Sequence, residues 1–229
     1  MDAFMENWMK DYLSAVRKAF GERVWFVGLQ GSRARGEGTG ESDIDVVLIL
    51  DRADARDLKA YSALLDTLPC REKICGFVGG REELFCWDPA ELFQFCRDTV
   101  PFLGSLESLL EKVSREDIWR AVRTGACGAY HLCAHNLVHE KDGEILRGIC
   151  KSAVFTLGAI AFLQTGTYAG TAGELVQLLE GEDRAVARLA GEARVRKSFP
   201  DGEWEEMSAR VLEWASRWIR KSCEELGRI

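Results

Sequence analysis

The residues best suited to chemistry in this 229-residue chain lie between 31 and 46, Gly-Ser-Arg-Ala-Arg-Gly-Glu-Gly-Thr-Gly-Glu-Ser-Asp-Ile-Asp-Val. Asp43 and Asp45 open an apolar run from Ile44 to Leu50. In a strand, alternate residues face the same way, so the carboxylates share one face while Ile44, Val46 and Leu48 take the other. Two neighbouring carboxylates repel each other unless a cation lies between them. Mg²⁺ suits such a pair, because it takes one or two carboxylates and completes its shell with water and substrate phosphates. Upstream, Gly31-Ser32 ends a second apolar run, Val24-Trp-Phe-Val-Gly-Leu29. A strand that turns there into a helical turn leaves backbone N–H groups free to cradle phosphate oxygens. Arg33 and Arg35 stand in the same loop as candidate phosphate contacts. The reading is metal-assisted nucleotidyl or phosphoryl transfer, with Asp43 and Asp45 as catalytic and metal-holding residues and Gly31 and Ser32 on the phosphates.

The stretch resembles the signature of the nucleotidyltransferases related to DNA polymerase β. It is most similar to their small bacterial branch, the minimal and the aminoglycoside or lincosamide nucleotidyltransferases. Gly31-Ser32, Ala34-Arg35-Gly36 and Ser42-Asp43-Ile44-Asp45 carry the resemblance. It implies Mg²⁺-dependent transfer of a nucleoside monophosphate, most often AMP from ATP, to a hydroxyl of a small molecule such as an antibiotic. It also favours Arg35 over Arg33 as the nucleotide contact. Two other roles go with it: AMPylation of a protein hydroxyl or an antitoxin-like role, and a catalytically weak, nucleotide-binding regulatory module. The family adds a third carboxylate from a neighbouring strand. Here that strand, Lys73-Ile-Cys-Gly-Phe-Val78, holds no acid. Glu72 before it, or Glu82 and Glu83 beyond it, remain as alternatives.

The elements that must position this loop can be read from periodicity. Phe4, Trp8, Tyr12, Val16 and Phe20 recur every four residues and predict an amphipathic helix ending near Gly21. Strands are expected at 24–29, 43–50 and 73–78, with a helix over 54–68 whose apolar face is Leu58, Tyr61, Leu64 and Leu65. Asp88-Pro-Ala-Glu91 has the marks of a helix start, running to Arg97. The segment 81–87 reads equally as a short helix or a return strand. After Gly104 no strand pattern appears. Ser114-Arg-Glu-Asp117 is a capping box opening a helix to Lys141, followed by helices at 144–164, 172–180, 183–195 and 202–226. The expected architecture is α+β: a small mixed-sheet nucleotidyltransferase domain over 1–108 and an all-α bundle over 109–229. A nucleotidyltransferase domain followed by helices also resembles that family, whose antibiotic-modifying members complete the acceptor site with the bundle. A related helical domain, HEPN, serves as a ribonuclease with an Arg followed four to six residues later by His. Arg123 and His131 are spaced too widely for that motif.

Composition narrows the partners. A net charge of −7 argues against extended nucleic acid as a partner. The apolar stretch at 153–163 is too short to span a bilayer. The N-terminus lacks a basic segment before an apolar core, so a cytoplasmic location is expected. The eight cysteines contain no C-x-x-C pair and are expected to be free thiols, with Cys127 and Cys133 as small buried side chains. His131, His135 and His139 line one helix face, either as a polar surface or as acceptor-site bases.

Overall fold

The structure is a computed structural model that describes residues 2–196, 198–200 and 202–228. The chain divides into two compact units between Lys112 and Val113. The first is α+β and the second is all-helical, the architecture expected from sequence.

The first unit is built on four strands: β1 (Val24–Gln30), β2 (Ile44–Leu50), β3 (Ile74–Gly80) and β4 (Val100–Leu103). Their order is β3-β2-β1-β4. β1 runs antiparallel to both β2 and β4, and β2 runs parallel to β3. One sheet face presents Val27, Leu29, Ile44, Val46, Leu48, Leu50 and Ile74 to α1 (Ala3–Phe20) and α3 (Ala55–Leu65). Asp2 caps α1 by accepting from the Met5 N–H at 2.8 Å. The buried stripe of α1 is Met5, Trp8, Met9, Tyr12, Val16 and Phe20. Phe4, expected on that stripe, is 50% exposed. A strict four-residue step drifts off a 3.6-residue helix, so Met5 takes the core position. Leu58, expected on the apolar face of α3, is 43% exposed, because the first turn of that helix lies at the rim. The Tyr12 and Tyr61 hydroxyls meet at 2.7 Å and tie α1 to α3. Burial pushes the Tyr61 hydroxyl up to about 12.

The opposite face carries α4 (Arg81–Phe85) and α5 (Pro89–Arg97). Phe77 of β3 stacks edge-on with Phe95 of α5, ring centres 5.0 Å apart. The ambiguous segment at 81–87 is thus helical through Phe85. β4 and the short α6 (Glu107–Leu110) were not expected. β4 contains Pro101, which has no N–H for a ladder and survives here because β4 is an edge strand.

The second unit contains, among the described residues, α7 (Arg115–His135), α8 (Gly143–Thr165), α9 (Ala172–Leu178), α10 (Gly181–Val195) and α11 (Glu203–Leu226). The Ser114–Asp117 capping box opens α7 as predicted. α7 passes into a π-helical turn, Asn136–Glu140, which ends at Lys141 in the left-handed region (φ 54°). Asn136 is fully buried, donating to the Asp142 carbonyl at 2.9 Å and accepting from the Asp142 N–H at 3.0 Å. α8 is long and apolar enough by length and composition to cross a membrane, but most of its apolar residues from Leu146 to Leu163 are buried within this unit. It is the central helix of the bundle. Cys133 is buried there and Cys127 is exposed, contrary to expectation, because it lies on the outer face of α7. Asp183 of α10 is buried and accepts from Trp214 Nε1 (2.9 Å), Trp218 Nε1 (2.7 Å) and Arg217 Nη2 (2.7 Å) of α11.

Candidate active site

The site is assembled around the connection between β1 and β2. β1 ends at Gln30 and passes into α2 (Gly31–Ala34), a single turn. Gly31 has φ 73°, a left-handed conformation that side-chain-bearing residues resist. A Cβ built on Gly31 would overlap the Oδ2 of Asp45. The turn therefore lies directly against the second carboxylate. Asp45 is half-buried on β2, and Asp43 is exposed just before the strand. In the sheet, Asp45 stands opposite Gln30 of β1 and in register with Cys75 of β3.

The arginines do not lie as expected. Arg33 is 8% exposed, and its guanidinium donates to the Ser42 carbonyl (Nε 3.1 Å, Nη2 2.8 Å) and the Asp43 carbonyl (3.1 Å). It clamps the two ends of the loop together and so presents Asp43; its donors face backbone rather than a phosphate. Lys73 pins the same loop from outside, with Nζ 2.6 Å from the Gly40 carbonyl. Arg35 directs Nη1 to both oxygens of Asp98, at 2.7 and 2.9 Å, with Glu37 3.6 Å from its Nε. The Gly31 N–H also faces the Asp98 carboxylate. Burial holds this carboxyl above its usual range against the lowering effect of Arg35. Arg35 and Gly31 thus turn partly inward, and of the phosphate-side candidates Ser32 carries no such tie.

Asp98 is the residue that sequence reasoning missed. One signal was available: it ends α5, where an acid opposes the helix dipole and calls for a cationic partner.

For the third carboxylate, β3 holds no acid, and Cys75 occupies the position beside Asp45. Glu82 and Glu83 follow Gly80, which pairs with Leu50, about 17 Å along the strand from the Asp45 end. They are at the wrong end of the sheet. Of the three candidates only Glu72, exposed in the turn before β3, lies at the right end. Among the described residues no group of three or more His, Cys, Asp or Glu side chains is arranged to hold a metal ion. The two carboxylates fit a cation whose remaining ligands come from phosphate and water, and only glycine at position 31 leaves room beside them. His131, His135 and His139 are all exposed on the second unit, ring centres 6.2 and 4.9 Å apart in succession.

A mixed sheet of this order, with a glycine-serine turn pressed against a strand-borne carboxylate, is the frame of a nucleotidyl-transferring domain. Residues 9–103 match the family model for the nucleotidyltransferase domain. The first unit thus carries a nucleotidyltransferase domain. No curated protein matches it in sequence. Among solved structures, its fold is similar to that of spectinomycin adenyltransferase AAD(9) from Enterococcus faecialis, crystallised with ATP and spectinomycin. The TM-score is 0.58 at 12% identity, over 94% of this chain and 99% of that one.

Proposed function

We propose that this enzyme transfers AMP from ATP to a hydroxyl of a small cationic molecule of the aminoglycoside or aminocyclitol kind, in the cytoplasm and with Mg²⁺. The observation that carries the donor half is the close approach of Gly31 to Asp45, with Asp43 two residues earlier, just ahead of the strand. Asp43 and Asp45 hold the metal, and Ser32 and the turn around it face the β- and γ-phosphates. Mg²⁺ bound there supplies charge neutralisation at the phosphates and lowers the cost of the leaving pyrophosphate. Asp45 is fixed by its strand and by the glycine beside it, and Asp43 is presented by the Arg33 clamp, so the carboxylates are preorganised before nucleotide arrives. The acceptor half is supported by the net charge of −7, which favours a cationic substrate, and by the likeness in fold to a protein crystallised with ATP and spectinomycin.

The test is pyrophosphate release from each of the four nucleoside triphosphates with Mg²⁺, against a panel of aminoglycosides, spectinomycin and hydroxyl-bearing proteins. Release that needs ATP, Mg²⁺ and a cationic sugar is the expected result. Release with a protein acceptor alone would replace the small molecule by a protein hydroxyl. Tight ATP binding without release on any acceptor would overturn the transfer reading.

A further inference from the structure

The loop-facing end of α5 is bolted to the phosphate turn by two sets of bonds. Gln30, the last residue of β1, donates to the Phe95 carbonyl at 3.1 Å and to the buried Thr99 hydroxyl at 2.7 Å. Thr99 donates in turn to the Phe95 carbonyl at 2.5 Å. Asp98, the residue before Thr99, faces the Gly31 N–H and receives Arg35. Arg35 and Asp98 are 14% and 10% exposed, so their attraction is little screened. The turn is thus bracketed: Gln30 and Gly31 on its entry side and Arg35 on its exit side are held by Phe95, Asp98 and Thr99, at the end of α5 and just beyond it.

We infer that Asp98 is a positioning residue for the donor site, holding the Gly31–Arg35 turn in the shape that receives the triphosphate while touching no substrate itself. This rests on the donor site proposed above and assigns to it a residue outside the β1–β2 connection. A turn of four residues has few bonds of its own, and Gly31 is held at a conformation that glycine leaves readily. Without Asp98 the Gly31 N–H loses the carboxylate it faces and Arg35 loses the two bonds from its Nη1, and the turn has other shapes open to it. The same geometry separates this role from its alternative. If Arg35 were the phosphate ligand and Asp98 only its counter-ion, removing the Asp98 charge would release Arg35 and tighten triphosphate binding. If Asp98 positions the turn, removing it weakens that binding.

The test measures Mg²⁺·ATP and AMP affinity by calorimetry for the full chain, Asp98→Asn, Arg35→Met and the double variant, with thermal stability followed alongside. Wild type binding Mg²⁺·ATP establishes the donor site, and failure to bind overturns both readings. The expected result is an ATP affinity lower by about tenfold in either single variant, no further loss in the double variant, and AMP affinity nearly unchanged. AMP lacks the phosphates that the turn receives, so an unfolded or loosened protein would lose both ligands together. Unchanged or tighter ATP binding by Asp98→Asn overturns the inference and leaves the donor site standing. Equal losses of ATP and AMP also overturn it. Should Asp98→Asn fail to fold, Asp98→Glu, which keeps the charge but shifts it by one methylene, carries the comparison: weaker ATP binding with AMP affinity nearly unchanged is expected, and unchanged or tighter ATP binding overturns the inference.

Discussion

Gly31 answers two demands with one missing methyl group. Its positive φ costs any other L-residue about 1–2 kcal/mol, and its hydrogen is all that fits beside Asp45. Gly31→Ala is expected to lower stability by about 1–2 kcal/mol and Mg²⁺·ATP affinity by more than tenfold, read by urea denaturation and by calorimetry. The second loss has its own cause, because the new Cβ displaces the Asp45 carboxylate. Asp43→Asn with Asp45→Asn is expected to abolish Mg²⁺-dependent ATP binding while the melting temperature stays close to wild type. Amides keep the shape and remove the charge repulsion; unchanged Mg²⁺ dependence would show that the pair holds no cation. These residues were legible in the sequence because their relation is local, a spacing within one loop and the strand after it. Arg33 and Arg35 were not. Their side chains look alike in sequence, yet one is spent on carbonyls nine and ten positions away and the other on an acid 63 positions away.

At the scale of elements, the loop between α2 and β2 is shaped by what grips it. Arg33 makes three bonds to backbone carbonyls in a nearly dry setting. Arg33→Met keeps the stem and removes the donors, leaving those carbonyls unpaired. Stability is expected to fall by about 1–3 kcal/mol, and limited proteolysis to cut within 36–41, where the wild-type loop resists. Elsewhere in this unit Arg23 spans the approach to β1 and the start of α3, bonding Asp51 at 3.0 Å and both oxygens of Asp57 at 2.7 and 2.8 Å. The Asp57 carboxyl is lowered to about 2 by Arg23 and by the Asp54 N–H. A lowered acid contributes stability that is complete above its unfolded value, near 4, and is lost as pH falls through about 2. Melting temperature in Asp57→Asn is therefore expected to fall less steeply than wild type between pH 4 and 2, the two curves converging at the acid end. Most elements were legible because caps and periodicity agree: the Asp88 and Ser114 starts appear as read. β4 was not, because Pro101 argues against a strand and only the free edge of β1 makes one. The stripe of α1 was read one residue out at Phe4, where an exact four-residue spacing looked more regular than a real helix is.

At the scale of the molecule, the second unit stands on a polar anchor as much as on its apolar core. Asp183 receives two indole N–H groups and a guanidinium from successive turns of α11. Asp183→Ala strands those donors and is expected to cost about 3 kcal/mol, seen as earlier loss of helix in urea. Asp183→Asn, which keeps an acceptor, is expected to cost less. The division into a mixed sheet followed by helices was legible from where strand patterns cease. The anchor was not, because a single acid in a helix is commonplace and only the fold brings both tryptophans to it. The β1–β2 connection has one more consequence, in time rather than space. Gly31, Ser32, Asp43 and Asp45 all belong to one hairpin, Val24–Leu50, whose strands pair directly. β3 joins only when Ile74 reaches Ile44, and β4 only when Val100 reaches Leu29. Closing the short connection costs the least chain entropy, so Val47→Ala is expected to slow refolding, while Ile74→Ala chiefly speeds unfolding. The carboxylates then come together while the strands that flank them are still unmade.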